Sequence, residues 1–171
     1  RTVPVGELGA IAARAVVERT KIDPARIEDV IFSHGYANGE TPCTGRWVAM
    51  AAGFPIEVAG LQVDRRCGSG VQAIATAAMM VQTGVADVVM AGGVESMSNV
   101  EHYTTDIRWG KRAGPVTLHD RLERGRVRSQ PEERFGHISG MIETAENLAK
   151  DYRITREQAD AFAMRSQRRA A

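Results

Sequence analysis

Short apolar segments alternate with helical patterns in the first part of the chain, and this alternation constrains the fold more than any other feature. Apolar segments at residues 30–33, 58–63 and 86–92 have the length and composition of buried strands. Helical patterns at residues 43–52 and 67–83 separate them. Strands that alternate with helices form a mostly parallel sheet covered on both faces. We therefore predict an α/β fold with a βαβαβ order.

Both ends of the chain have helical character. Apolar residues spaced three and four positions apart predict an amphipathic helix at about residues 5–19. Near the other end, residues 145–152 and 159–163 carry apolar faces, and a capping box runs from Thr155 to Gln158. We expect this second helical pair to make core contacts.

Composition narrows the class of protein. A length of 171 residues, 43% of them hydrophobic, is enough for a domain with its own core. The net charge of +1 gives no electrostatic reason to expect binding to nucleic acid or to a membrane surface. Two cysteines do not make a disulfide framework, so we expect a reducing, cytoplasmic location. No apolar run approaches the roughly 20 residues of a membrane span, and no signal peptide is evident.

Cys67 is the candidate nucleophile of this chain. It lies where a predicted strand meets a predicted helix, in the run Val-Asp-Arg-Arg-Cys-Gly-Ser-Gly at residues 63–70. The free N–H groups and partial positive charge of a helix N-terminus stabilise a thiolate, which is the nucleophilic form. The neighbouring glycines leave room for a substrate beside the sulfur. The alternative for any free cysteine is a structural role as a small buried side chain.

Three segments resemble motifs of the thiolases, enzymes that make or cleave 3-ketoacyl-CoA thioesters. The run around Cys67 is similar to the family's nucleophile motif. Residues 86–98, Ala-Asp-Val-Val-Met-Ala-Gly-Gly-Val-Glu-Ser-Met-Ser, resemble the next strand and its Gly-Gly-x-Glu-Ser-Met-Ser turn. Residues 141–147 and 154–167 resemble the helices of the family's loop domain. The three segments occur in the family's order over nearly the whole chain.

The resemblance implies a thiolase-like layered fold and a division into domains. Residues 1–99 would form the N-terminal domain without its first strand, and residues 100–171 would form a truncated, partly helical loop-domain insertion. The chain does not begin with Met, and its last residues continue a helical pattern. We therefore expect the C-terminal thiolase domain to be absent from this sequence.

The resemblance also implies an activity. Cys67 would accept an acyl group from acyl-CoA as a thioester, and Met141 would line the acyl or pantetheine channel; a methionine that fills the core is the alternative for Met141. Acyl-CoA and CoA would be the substrates, with no further cofactor and no metal. The enzyme would be a homodimer or homotetramer, because family members pair their N-terminal sheets near the strand before the nucleophile.

The sequence departs from the family pattern at two positions. Asp64 stands three residues before Cys67, where the family usually has Asn, Ser or Thr, and Gly140 stands beside Met141, where many members have His. The departures leave the acyl chain of the substrate open. The family's catalytic His in a Gly-His-Pro motif and second Cys in a Cys-x-Gly motif do not occur in these residues. We therefore expect the chain alone to be acylated slowly and not to complete a turnover.

The second cysteine and the four histidines are weaker candidates. Cys43 lacks the strand and turn setting of a nucleophile, so we predict a partly buried structural cysteine. His34 is predicted to be a satisfied loop residue, and His137 a surface or pocket-lining residue. His102 and His119 carry no pattern, and none of the four has metal-ligand spacing with the cysteines.

Two further features could serve the site. Glu95 and Ser96 follow a predicted strand, and we expect them to fix their turn and to support the Cys67 loop by hydrogen bonds. Residues 108–134 are rich in arginine and broken by glycine and proline. They form either a solvated loop with local ion pairs or, by the resemblance, an insertion whose arginines bind the phosphates of CoA.

Two other functions remain open at this point. A decarboxylating ketoacyl synthase also acylates a cysteine at a helix start, although the Gly-Gly-x-Glu-Ser-Met-Ser turn favours a thiolase. A non-catalytic, thiolase-like binding protein or inactive fragment is the alternative from a different class. A redox-sensor cysteine is a more distant third, because no resolving cysteine is near Cys67 in the sequence.

Overall fold

The computed structural model describes residues 2–171 of the chain. The chain divides into two compact units, Arg1–Leu122 and Glu123–Ala171. The first unit contains the parallel sheet, and the second is helical. The packing boundary follows Leu122, whereas the domain boundary after residue 99 rests on the resemblance and stays a prediction.

A three-stranded parallel sheet forms the centre of the first unit. Its strands lie in the order β2-β1-β3, where β1 is Asp29–Ser33, β2 is Ala59–Val63 and β3 is Val89–Gly93. β1 pairs along its whole length with both neighbours. The order strand, helix, strand, helix, strand and the parallel pairing confirm the predicted α/β fold.

Both faces of the sheet are covered by helices. The helices of this layer are α1 (Val5–Thr20), α2 (Thr44–Ala51) and α3 (Ser69–Gln82). Side chains alternate across a strand, so Val30 and Phe32 pack with α1 and α2 while Ile31 packs on the other face against Ala73 and Ala77 of α3. The β1 side chains that face the two helical layers are all buried, which makes β1 the core of the unit.

Two glycines let α2 lie directly on the sheet. A Cβ at Gly45 would overlap the carbonyl oxygens of Val30 and Leu61, and a Cβ at Gly60 would overlap the backbone of Arg46. Helix and strand backbones therefore touch without an intervening side chain. This contact fixes the position of the α2 N-terminus relative to the carboxyl ends of β1 and β2.

The strand predicted at residues 86–92 begins later, at Val89. The two residues just before β3 donate their N–H groups to a side chain and not to a neighbouring strand. The backbone N–H groups of Asp87 and Val88 both donate to the carboxylate of Glu28, with a distance of 3.3 Å for Val88. Glu28 therefore joins the beginnings of β1 and β3.

A small antiparallel ribbon follows the sheet within the first unit. It consists of β4 (His102–Tyr103) and β5 (His119–Asp120). The rings of Tyr103 and His119 pack with their centroids 5.7 Å apart. The two histidines for which the sequence shows no pattern thus lie in this ribbon.

The second unit is built from helices that bury very little. They are α4, which begins in the first unit, and then α5, α6 and α7 (Arg121–Val127, Glu132–Phe135, Met141–Asp151 and Arg156–Ala170). Every residue from 123 to 171 is described, and none is buried. The expectation of core contacts for the last two helices is therefore wrong, because their apolar faces, including Leu148 and Phe162, remain exposed. The capping box is confirmed, with reciprocal hydrogen bonds between Thr155 and Gln158 of 2.9 and 3.3 Å.

Residues 2–171 contain neither a membrane-spanning helix nor a cluster of metal-binding side chains. None of the helices there combines the length and apolar character needed to cross a bilayer. No group of three or more His, Cys, Asp or Glu side chains in that range could hold a metal ion.

Candidate active site

The carboxyl ends of the three parallel strands meet at one edge of the sheet. His34 follows β1 directly, Asp64 follows β2, and Glu95 lies two residues beyond β3. In open parallel sheets this edge is where ligands bind, because the loops leave the sheet there. The polar residues of this edge surround the segment that carries Cys67.

Cys67 lies in a tight turn whose backbone is closed by one serine. The turn is a 3-10 segment, Arg66–Gly68, so the α-helix begins at Ser69 and not at Cys67 as the helical pattern predicted. The buried Ser69 hydroxyl accepts the N–H of Arg65 at 2.6 Å and donates to the Arg66 carbonyl at 2.7 Å. The Cys67 thiol is free and exposed. The turn thus presents the sulfur to solvent immediately before α3.

The residue before the cysteine has a strained backbone. Arg66 has a φ of 50°, a left-handed conformation that few non-glycine residues adopt. The Asp64 carboxylate stabilises it by accepting the Arg66 N–H at 3.0 Å and by pairing with the guanidinium at 3.2 Å. Asp64, which departs from the family pattern, is therefore an acid that contacts both the backbone and the side chain of Arg66.

His34 is a buried polar residue at this edge. It is 1% exposed, with Nδ1 2.8 Å from the Thr44 hydroxyl and Nε2 3.3 Å from Oε1 of Glu95. Burial lowers the pKa of His34 below its usual value; Arg121 acts in the same direction, while Glu95, Asp64 and Glu101 oppose it. The predicted satisfied loop histidine is thus satisfied, but it is inside the fold.

Glu95 connects the ends of β3 and β1. Its Oε2 accepts the N–H groups of Gly35 at 3.0 Å and Tyr36 at 3.2 Å. The carbonyl of Gly35 in turn accepts a hydrogen bond from the Arg66 guanidinium, which lies 5.7 Å from the centre of the Tyr36 ring. Glu95 therefore supports the Cys67 turn, as expected, and it does so through residues 34–36.

Ser96 stabilises the turn after β3, which is the other role expected of this pair of residues. Its hydroxyl accepts a hydrogen bond of 3.0 Å from the Asn99 side chain, across the short 3-10 segment Met97–Asn99. Ser96 therefore holds the turn that follows β3, while Glu95 makes the contact that leads to Cys67.

Cys43 has a different setting from Cys67. It precedes α2 with a φ of 50°, and its thiol lies 3.4 Å from the carbonyl oxygen of Gly60. The prediction of a partly buried cysteine is wrong, because Cys43 is exposed. The Gly45 and Gly60 contact brings α2 so close to β2 that the residue before the helix lies at the strand surface.

No side chain in residues 2–171 makes a hydrogen bond to the Cys67 thiol. In the first unit His34 is held by Thr44 and Glu95, and His102 and His119 belong to the ribbon. The described residues therefore supply a shaped turn for a nucleophile but no directly bonded base.

The second unit contains a cavity of about 330 Å³. Charged and apolar residues share its lining: Glu123, Arg126, Val127, His137, Ile138, Gly140, Ile142 and Glu143. His137 is thus a pocket-lining residue, as predicted. Met141 begins α6 and is 71% exposed, so core filling within this unit is excluded. Gly140 and Ile142, its neighbours in the chain, line the cavity.

One arginine of the basic segment at residues 108–134 is engaged within the first unit. Arg121 pairs with Glu101 at 3.3 Å, donates to the Ala37 carbonyl, and lies over the Tyr103 ring at 5.8 Å. Arg121 therefore makes a local ion pair, which is the first of the two alternatives predicted for this segment.

Sequence reasoning missed the network around His34. Its members come from the ends of all three strands and from α2, and Glu95 is far from His34 along the chain. The only local signal was a polar pair, Ser33 and His34, directly after the apolar residues at positions 30–32. Long-range pairing of this kind cannot be read from periodicity, which reports only neighbours on the same element.

Comparison with known proteins agrees with this architecture. The family model of the thiolase N-terminal domain matches residues 1–171. The chain therefore belongs to the thiolase family, as its motifs predicted.

Relatives with established names cover nearly all of the chain. Acetyl-CoA acetyltransferase 2 of Arabidopsis thaliana is 36% identical over 96% of the chain and 40% of the relative. The cytosolic acetyl-CoA acetyltransferase of Mus musculus is 36% identical over 99% of the chain and 41% of the relative. The crystal structure of the Bacillus anthracis acetyl-CoA acetyltransferase matches with a TM-score of 0.86 and 39% identity, over 96% of this chain and 40% of that one. The chain thus spans about 40% of the length of these relatives.

Proposed function

We propose that this chain carries the acyl-accepting part of a thiolase-type acyltransferase, which forms or cleaves 3-ketoacyl-CoA through a thioester on Cys67. The observation that carries the proposal is the exposed, free Cys67 thiol, held in a tight turn at the carboxyl edge of the sheet. Relatives named acetyl-CoA acetyltransferase support acetyl-CoA as the acyl donor.

The proposed step exchanges one thioester for another. The Cys67 thiolate attacks the carbonyl carbon of acyl-CoA, a bond from Sγ to that carbon forms, and the bond from the carbon to the CoA sulfur breaks. CoA leaves with the electron pair and takes up a proton. A backbone N–H near the start of α3 can stabilise the oxyanion of the intermediate. Because the bond formed is of the same type as the bond broken, the step requires no cofactor.

Proton transfer to and from Cys67 needs groups beyond the first unit's turn, because no side chain in residues 2–171 is hydrogen-bonded to its thiol. Relatives are much longer than the matched segment. We assign the general base and the second cysteine to the family's Gly-His-Pro and Cys-x-Gly motifs in a C-terminal part of the full-length enzyme. Residues 1–171 alone are then expected to be acylated slowly and not to turn over.

The exposed face of α3 supports a larger assembly. α3 buries Ala73 and Ala77 on the sheet, whereas Val71 is 74% exposed and Ile74 is 63% exposed. Apolar residues on both sides of a helix are typical of a helix that is covered on both sides. We propose that a C-terminal thiolase domain covers the outer side of α3 in the full-length enzyme.

The remaining assignments are part of the same proposal. A homodimer or homotetramer would form near β2, which is an edge strand with Leu61 exposed. The Met141 side chain would line the acyl or pantetheine channel, with arginines of residues 108–134 on the phosphates of CoA. A cytoplasmic location is supported by two free thiols and by the cytosolic mouse relative.

The test is denaturing intact mass of the full-length protein before and after brief exposure to acetyl-CoA, with peptide mapping. We expect one acetyl group on Cys67, retention of the adduct in Cys43→Ser, and its loss in Cys67→Ser. An unmodified protein, or an adduct on Cys43, would contradict the proposal.

A second measurement separates the thiolase from the ketoacyl synthase. The acetylated enzyme is mixed with acetyl-CoA or with a malonyl thioester, and the product is analysed. Formation of acetoacetyl-CoA from acetyl-CoA supports the thiolase. Condensation only with the malonyl thioester, with release of carbon dioxide, would indicate the synthase.

A further inference from the structure

Two glutamates join β1 to β3 in the same way at opposite edges of the sheet. Glu28 precedes β1 and accepts the N–H groups of Asp87 and Val88 just before β3. At the other edge, Glu95 follows β3 and accepts the N–H groups of the two residues that come after His34. Each carboxylate therefore accepts two backbone N–H groups just outside the paired residues of β1 and β3. The two sites differ in what lies next to them.

At the carboxyl edge, His34 lies next to the second carboxylate oxygen of Glu95. Oε2 of Glu95 binds the backbone, while Oε1 lies 3.3 Å from Nε2 of His34. The other ring nitrogen of His34 is 2.8 Å from the hydroxyl of Thr44, the first residue of α2. Because His34 is buried, is hydrogen-bonded to Thr44 and has Nε2 next to Oε1 of Glu95, it restricts the orientation of the Glu95 carboxylate.

The backbone that Glu95 holds is in contact with the residue before the nucleophile. Gly35 donates its N–H to Glu95 and accepts a hydrogen bond from the Arg66 guanidinium at its carbonyl. A Cβ at Gly35 would lie 3.3 Å from Oε2 of Glu95 and 3.8 Å from Cα of Arg66, so the two loops are in direct contact. Arg66 is left-handed, and Cys67 follows it.

We propose that His34 and Glu95 are positioning residues for Cys67. They hold residues 34–36 against the Arg66 side chain and so keep the left-handed Arg66 backbone that aims the Cys67 thiol. The inference rests on the proposed function of Cys67 as the acyl acceptor. Both residues reach the Cys67 turn only through Gly35, Tyr36 and Arg66, so we expect them to affect the rate of the chemical step and not the binding of the substrate.

The test compares Glu95→Gln with Glu28→Gln in the full-length protein. Both changes remove one carboxylate that accepts two backbone N–H groups between the same strands, so they serve as a matched pair. Single-turnover acylation by acetyl-CoA gives three quantities for each variant: the amplitude, the rate constant at saturation, and the half-saturating concentration.

For Glu95→Gln we expect the full amplitude, an unchanged half-saturating concentration, and a rate constant lowered about 10- to 100-fold, the size expected for a nucleophile displaced by up to 1 Å. Glu28→Gln should keep the wild-type rate constant. A merely structural role of Glu95 would lower the amplitude through loss of folded protein and leave the rate constant intact. That outcome, or an equal fall of the rate constant in both variants, would overturn the inference.

Variants at His34 provide a rescue experiment. Gln at this position keeps a donor for the Glu95 carboxylate, whereas Ala does not. We expect His34→Gln to retain a higher rate constant than His34→Ala at full amplitude. Equal rate constants in the two variants would count against a positioning role of His34. If His34→Ala does not fold, His34→Gln is compared with the wild type and with Glu95→Gln. Absence of any acylation in the wild-type protein would instead sink the proposed function.

Discussion

The two units of this chain use apolar residues in opposite ways. In the unit Arg1–Leu122, strand β1 has its core side chains fully enclosed between two helical layers. In the unit Glu123–Ala171 the helices are amphipathic, yet none of their residues is buried. The difference teaches that an apolar helical face identifies a surface that needs a partner, but not whether that partner lies in the same segment of chain.

The largest difference between the units should come from truncating one large apolar side chain in each. Ile31→Ala removes a side chain that is 0% exposed, and we expect a loss of about 2–5 kcal/mol in the free energy of unfolding. Leu148→Ala removes one that is 47% exposed, and about 1 kcal/mol or less is expected. Urea denaturation followed by circular dichroism measures both. Comparable losses would remove the distinction between the units.

A glycine pair sharpens the comparison within the first unit. Gly45→Ala places a Cβ against the carbonyls of Val30 and Leu61, and we expect a loss of about 1–3 kcal/mol or more. Gly70→Ala is the control, because a Cβ there meets no atom within 4 Å. It should be neutral or stabilising, by up to about 1 kcal/mol, since Gly70 is in the first turn of α3 and alanine reduces the conformational entropy of the unfolded chain. A tolerated Gly45→Ala would mean that α2 does not rest on the strand backbones.

A smaller effect is expected at the N-cap of α7 in the second unit. Thr155→Ala removes the side-chain oxygen that caps α7, which should cost about 1 kcal/mol. Hydrogen exchange of residues 156–160 should accelerate, while exchange in β1 stays unchanged. Acceleration in β1 as well would show that the two units unfold together.

The smallest effect concerns pH and is confined to the sheet unit. Burial lowers the pKa of His34, so between the folded and unfolded pKa values the unfolded chain binds more protons than the folded one. Stability should therefore be complete above the unfolded value of about 6.5 and should fall as the pH decreases below it. Melting temperatures from pH 7.5 to 5.5 for wild type and His34→Gln measure the effect. An identical pH dependence in the two proteins would exclude His34 as its origin.

Much of the fold could be predicted from local patterns. The strands end where polar residues or glycines follow apolar runs, α1 begins and ends close to the predicted positions, and α7 begins directly after the predicted cap, Thr155. Features that depend on distant contacts could not be predicted. Strand β3 begins at Val89, after two residues whose N–H groups donate to the distant Glu28, and the Cys43 thiol lies next to the carbonyl of Gly60 on β2.

In the candidate site, too, local features could be predicted from the sequence and distant contacts could not. Cys67 and its strand-to-helix setting are visible in the sequence, since adjacent residues form the turn. The buried partner of Glu95 is not, because a histidine beside a glycine has the same local pattern in a solvated loop as in the interior. A general base for Cys67 stays part of the proposal, because the family's Gly-His-Pro and Cys-x-Gly motifs do not occur in these residues.

The central position of β1 has a consequence for the order in which the chain folds. β1 is synthesised first of the three strands, yet both of its partners come later, with Asp29 paired to Ala59 and to Val89. During synthesis, the edge of β1 that pairs with β3 therefore stays unpaired until residues 89–93 have left the ribosome. Parallel pairing of this kind depends on closing long loops, which slows folding and exposes an apolar strand in the meantime. The Glu28 and Glu95 carboxylates can close those loops only at the last step, when β3 arrives.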